Sequence, residues 1–165
     1  MLTIYLLRHA KSSWADESMR DFDRPLANRG REACAVIGEF IEEKGIEFDL
    51  VLVSTAARTR ETIALVKDRA KFQAEVRYDE RIYEASTSQL LEVISQVEKE
   101  RKSVLLVGHN PGIEELLALL TGEQQRVTTA NFAKIKIKAT KWSASLANKG
   151  TLDWIIRPKE FSRSY

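Results

Sequence analysis

The sequence predicts an α/β fold, a three-layer α/β/α arrangement around a mostly parallel sheet of about six strands. Three observations carry this expectation. Short aliphatic runs alternate with longer segments of helical periodicity, the pattern of βαβ units with right-handed crossovers. Two apolar, β-prone runs, at residues 2–7 and 103–107, each hand the chain to a histidine, His9 and His109. The last two apolar segments are joined by Asn148-Lys149-Gly150, a turn-like link that lets them pair as an antiparallel hairpin.

Taken in order, residues 1–10 form a strand that breaks off at Arg8-His9-Ala10-Lys11. Residues 11–28 are polar and contain Pro25, so they read as a loop. A helix follows over 29–44, with Ala33, Ile37, Phe40 and Ile41 at helical spacing and Gly45 to stop it. Cys34 falls within this helix as a packing residue. Residues 49–53 are nearly continuous in aliphatics and predict a strand buried on both faces. A second helix covers 56–69, a short third strand 74–78 and a loop 79–85. Ser86 followed by Gln89 predicts a capping box, in which each side chain satisfies an orphan amide of the first turn. The helix behind it carries Leu90, Leu91, Ile94 and Val97 and ends in a charged run at 98–102. After the strand at 103–107 comes a helix through Ile113, Leu116, Leu117 and Leu120 that Gly122 ends. Residues 132–140 alternate Ile135 and Ile137 with Lys134, Lys136 and Lys138, the pattern of a half-exposed edge strand whose lysines discourage edge-to-edge pairing. The final strand, 151–157, is expected to hold Leu152, Trp154 and Ile156 on one face, with a frayed tail from Pro158.

Composition narrows the function. A chain of 165 residues, 44% apolar, suits one domain over residues 1–165 with a substantial core. Twenty-six Lys and Arg against 24 Asp and Glu leave a net charge of +2, no basis for sequence-independent nucleic-acid binding. One cysteine excludes an internal disulfide or multi-thiolate zinc site, and two histidines exclude a histidine-rich metal site. The expectation is a soluble cytoplasmic protein, a monomer without metal or other cofactor, not bound to membrane or nucleic acid.

The C-terminal ends of parallel strands share one sheet edge, where ligands bind. That edge would gather Arg8 and His9, Ser54 and Arg58, Glu84, and His109. Guanidinium forks match phosphoryl oxygens, and neutral imidazole is nucleophilic, so phosphoryl transfer is the natural chemistry of such a set. A cysteine phosphatase would need an arginine six residues after its cysteine, but Phe40 stands there relative to Cys34. Asp21-Phe22-Asp23 resembles an aspartyl-phosphate motif without the apolar strand that should precede it. No Gly-x₄-Gly-Lys-Ser/Thr loop is present.

Arg8-His9-Ala10, Arg58 within Ser54-Thr55-Ala56-Ala57-Arg58-Thr59, and Gly108-His109-Asn110 together resemble the histidine phosphatase superfamily, with its phosphoglycerate mutase-like fold. Arg24-Pro25-Leu26 and Arg29-Gly30 before the first helix are similar to the SixA subgroup of phosphohistidine phosphatases. The resemblance implies that His9 is phosphorylated, that Arg8, Arg58 and His109 hold the phosphoryl oxygens, and that Glu84 is the general acid. It also implies substrate contacts from Arg24 and Ser54 at the rim, and no cofactor. The family usually has glycine where this chain has Ala10; at positive φ the methyl would cost about 1 kcal/mol or somewhat more. The implied substrate is a phosphorylated protein, since short connections leave an open site. A broad phosphomonoesterase on small metabolites and a phosphate-binding module without turnover are the alternatives.

Overall fold

The computed structural model describes residues 1–161. In chain order the elements are β1 (Leu2–Arg8), α1 (Asn28–Lys44), β2 (Leu50–Val53), α2 (Ala57–Ala70), β3 (Glu75–Tyr78), α3 (Thr87–Ser95), β4 (Ser103–Gly108), α4 (Gly112–Thr121), β5 (Phe132–Ile137), β6 (Gly150–Ile156) and α5 (Pro158–Phe161). Single 3-10 turns occupy Asp21–Asp23 and Glu80–Ile82. The six strands form one sheet in the order β3-β2-β4-β1-β5-β6. Its first four strands are mutually parallel, and β5 runs antiparallel to both β1 and β6.

Two apolar layers sandwich the sheet. On one face, Ile37 and Ile41 of α1 and Ile63 and Val66 of α2 pack on Leu7, Val51, Val53 and Val107. On the other, Leu90 and Ile94 of α3 and Leu116 and Leu120 of α4 pack on Leu6, Leu52, Leu106 and Ile135. The alternation along each strand sends successive side chains to opposite layers, so β2 and the middles of β1 and β4 are apolar on both faces because both are covered. Cys34 is fully buried in the first layer, as its place in the helical pattern predicts. Gly45 ends α1 in the left-handed conformation, φ 62°, and Ser86 and Gln89 form the predicted capping box on α3.

Three expectations need correction. The strand β5 is interior rather than an edge; β3 and β6 are the edges. Its alternation arises because Lys134 and Lys136 reach Asp153 of β6, at 3.6 and 3.8 Å. Leu152 and Trp154 do not share a face. A bulge at Asp153 shifts the register, pairing Lys134 with Trp154 but Ile135 with Leu152, so Leu152 joins the α3/α4 layer while Trp154 and Ile156 join the α1/α2 layer. The expected frayed tail instead begins as a helical turn, α5; its remainder, residues 162–165, lies outside the described residues.

The loop between β1 and α1 is pinned at its base. Ser12 bridges Leu26, the Ser13 amide donates to the Pro25 carbonyl, and the Ala27 amide donates to the Lys11 carbonyl. Gly30 permits this last approach, since a Cβ there would lie 2.2 Å from the Lys11 oxygen. What remains between the pinned ends forms a flap over the strand ends. No helix among the described residues is long and apolar enough to cross a membrane.

Candidate active site

Three neighbouring parallel strands end side by side. Arg8 of β1 pairs with Gly108 of β4, after which the His9 amide donates to the Gly108 carbonyl at 3.0 Å. The Ser54 amide, just past β2, donates to the Val107 carbonyl. Sheet register therefore brings His9, His109 and Ser54 together from distant parts of the chain, with the two imidazole centroids 5.3 Å apart. The Ala130 amide donates to both the Arg8 and His9 carbonyls and fixes the end of β1 from the β5 side.

The protonation of His9 follows from its partner. Its Nδ1 lies 2.7 Å from the Ala10 carbonyl oxygen. A carbonyl only accepts, so Nδ1 carries the proton and Nε2 keeps its lone pair. Burial, with the charges of Arg58, Arg8 and Arg24, lowers the His9 pKa to about 4, the Ala10 hydrogen bond opposing it. His9 is thus a neutral imidazole near pH 7, the nucleophilic form. His109 is lowered to about 3 by burial and by His9 and Arg58, and its Nε2 lies 2.8 Å from the Ser54 hydroxyl.

Around these rings is a cavity of about 260 Å³ lined by Arg8, Lys11, Ser12, Trp14, Arg24, Arg58, Asn110 and Thr129 besides both histidines. No carboxylate lines it, so it favours an anion. Among the described residues, the buried side-chain nitrogen and oxygen atoms without a hydrogen-bond partner are Arg8 Nε, His109 Nδ1 and Asn110 Oδ1. All three belong to residues lining this cavity. Unsatisfied buried polar groups are costly and rare, and their concentration here marks a site built for a polar ligand. Among the described residues no group of three or more His, Cys, Asp or Glu side chains is placed to hold a metal ion.

Sequence reasoning passed over Asp21 as a site residue. Its carboxylate accepts from Arg24 Nη1 at 3.0 Å, Arg58 Nη2 at 3.0 Å and the Tyr83 hydroxyl at 2.7 Å, and its carbonyl accepts from Arg58 Nη1 at 2.8 Å. Against partial burial, which would raise it, the hydrogen bonds from Tyr83 and Arg58 hold the Asp21 carboxyl down to about 2. Asp21 therefore ties the flap to α2 and to the loop after β3, and orients Arg58. The clue available in the sequence was three residues' spacing from Arg24; nothing local points to Arg58 or Tyr83.

The predicted residues divide into those the fold brings together and those it sets apart. Arg8, His9, Arg58 and His109 share the cavity. Arg24 lines it too, yet its guanidinium is engaged by Ser12, the Ser13 carbonyl and Asp21, so it braces the flap. Ser54 is not at the rim: it is fully buried behind His109, whose ring it holds. Glu84 is exposed and lines an adjoining cavity of about 350 Å³ that shares His109 and Asn110 with the first. Its φ of 53° is unusual for a non-glycine residue and recurs at functional positions. Ala10 is not among the residues at positive φ, so the methyl brings no backbone strain. It is fully buried, and its amide donates to Thr62 Oγ1 at 3.0 Å.

Comparison with known proteins agrees with this geometry. Residues 4–92 match the family model for the histidine phosphatase superfamily, branch 1. An uncharacterized chloroplastic protein of Arabidopsis thaliana is 31% identical over 160 residues, covering 92% of this chain and 73% of its own length. A protein described as a phosphohistidine phosphatase SixA from Agrobacterium tumefaciens superposes with a TM-score of 0.82 at 30% identity, over 95% of this chain and 98% of that one. A protein histidine phosphatase SixA complexed with tungstate shares the fold, with a TM-score of 0.83 at 21% identity over 97% of this chain and 99% of that one.

Proposed function

The chain belongs to the histidine phosphatase superfamily, and from that premise we propose that it dephosphorylates phosphohistidine in a protein through a covalent intermediate on His9. The observation that carries this reading is the His9 tautomer: Nδ1 is committed to the Ala10 carbonyl, leaving Nε2 with its lone pair free in a cavity with three arginines. Nε2 attacks phosphorus as the bond from phosphorus to the substrate imidazole nitrogen breaks. Arg8, Arg58 and His109 hold the phosphoryl oxygens and stabilise the charge spread over them, which is the main catalytic task in phosphoryl transfer. Glu84 supplies the proton that the leaving nitrogen takes up. In the second half, water attacks phosphorus, its proton passes to Glu84, and the bond to Nε2 breaks, releasing inorganic phosphate and restoring both residues.

A protein substrate is supported by the exposure around the cavity. The connections after β2 and β4 are short, and the longer ones at this edge are the flap and the segment 122–131, which contributes Thr129 to the cavity. The likeness to SixA at 30% identity supports the same substrate class. The test is turnover of a phosphohistidine-containing protein beside a small alkyl phosphate, without added metal, for wild type and His9→Ala. Wild type should favour the phosphohistidine protein, and the variant should lose both activities by at least about 10³-fold. Preference for the ester would make the protein a small-molecule phosphomonoesterase, and turnover that survives in His9→Ala would remove the covalent intermediate.

A further inference from the structure

On the flap, directly beside the phosphoryl cavity, stands a large apolar side chain that neither the core nor the mechanism uses. Trp14 is 68% exposed and lines the cavity. An exposed ring alone needs no partner, but this one lines the phosphoryl cavity and is held in place, so it is available to whatever enters there. One face of the indole is occupied: the Arg24 guanidinium stacks on it. Arg24 is itself 6% exposed and locked by hydrogen bonds to the Ser13 carbonyl, the Ser12 hydroxyl and Asp21. The indole therefore rests on a rigid cationic base, with its other face open toward solvent at the mouth. A guanidinium on the far face withdraws π density and prepares the open face to stack on an electron-rich ring.

We infer that Trp14 is the specificity-determining residue for the leaving group, stacking on the imidazole ring of the phosphohistidine substrate while the phosphoryl group lies among Arg8, Arg58 and His109. The inference rests on the phosphohistidine reading and sharpens it. Position and shape both fit. Trp14 is two residues past Ser12 of the pinned loop base, and Asp21 in the same flap is bonded to Tyr83, the neighbour of Glu84. The flap thus sets an aromatic face at the phosphoryl cavity, while the loop after β3 sets Glu84 at the adjoining cavity that shares His109 and Asn110 with it. An alkyl chain gains little from a flat aromatic face compared with a heteroaromatic ring. The platform therefore favours a ring-bearing leaving group such as imidazole over an alkyl one, independently of how labile the bond to phosphorus is.

The experiment measures kcat/KM on free phosphohistidine, together with inhibition by inorganic phosphate, for wild type, Trp14→Ala and Trp14→Phe. Trp14→Ala should lower kcat/KM about two- to tenfold, the range of a lost aromatic pair, and Trp14→Phe should recover most of it. The inhibition constant of phosphate, which carries no ring, should stay within about twofold, since it reports the phosphoryl cavity alone. A phosphate constant that weakens in step with kcat/KM would overturn the inference, because Trp14 would then act by supporting Arg24 and the flap. Unchanged kcat/KM in Trp14→Ala would overturn it while leaving the proposed function intact. If wild type turns over neither free phosphohistidine nor a phosphohistidine-containing protein yet hydrolyses alkyl esters, both readings fall together.

Discussion

The parallel strands β2, β4 and β1 and the antiparallel pair β5 and β6 are joined in one sheet, yet they treat polar groups in opposite ways. At the ends of β1 and β4 the chain buries Arg8 Nε, His109 Nδ1 and Asn110 Oδ1 without partners, and keeps two imidazoles neutral. In the hairpin, the bulged Asp153 is met by Lys134 and Lys136, and the apolar residues on either side of the bulge fill both layers. The first region keeps hydrogen-bonding capacity for a ligand in the cavity, whereas the second resolves its irregularity with surface charge. What separates them is strand direction: parallel neighbours bring several strand ends to one edge, whereas the hairpin contributes none of the phosphoryl-binding side chains.

The largest effect that would sharpen this contrast is chemical. Glu84→Gln should lower kcat/KM on a phosphate monoester about 100-fold and on phosphohistidine by less than about tenfold, because an alkoxide needs protonation more than an imidazole does. Equal losses on the two substrates, measured side by side, would remove Glu84 as the acid.

Next in size is a pH effect on stability. His9 and His109 titrate near 4 and 3 in the folded protein and near 6.5 when unfolded, so between those values the unfolded chain binds more protons. The stabilisation is complete above pH 6.5 and is lost as pH falls toward 4. From pH 7 to pH 5 each histidine should remove about 1–2 kcal/mol from the unfolding free energy. Urea denaturation at the two pH values should show a smaller drop for His9→Gln than for wild type; matching drops would mean that His9 titrates normally. The smallest effect belongs to the hairpin. Asp153→Ala breaks two half-exposed ion pairs and should cost less than about 1 kcal/mol, with turnover unchanged. A loss of turnover in that variant would show that the two regions are coupled.

How far the sequence led depends on the range of the interaction involved. The strands ending in His9 and His109, the stop at Gly45 and the capping box at Ser86 are written in local pattern, and each stands in the structure as read. The cavity of Arg8, His9, Arg58 and His109 also follows, because parallel strand ends converge by topology. Contacts that span long stretches of chain leave no such trace. Asp21 gathers Arg58 and Tyr83 from 37 and 62 residues away, and Ser54 reaches His109 across 55. The bulge at Asp153 was equally hidden: period-two alternation assumes unbroken register, and one extra residue moves Leu152 and Trp154 to opposite faces. The lysines of β5 mimic an edge because alternation looks alike whether a strand faces water or a neighbour's carboxylate.

Ala10 contributes to the site without its side chain. Its carbonyl sets the His9 tautomer and its amide reaches Thr62, so both of its backbone groups are engaged while its methyl is sealed in the core. The constraint on this position is one of volume, apolar surroundings and main-chain wiring. Because the instruction to the nucleophile travels through the main chain, alanine carries it here without a functional group of its own.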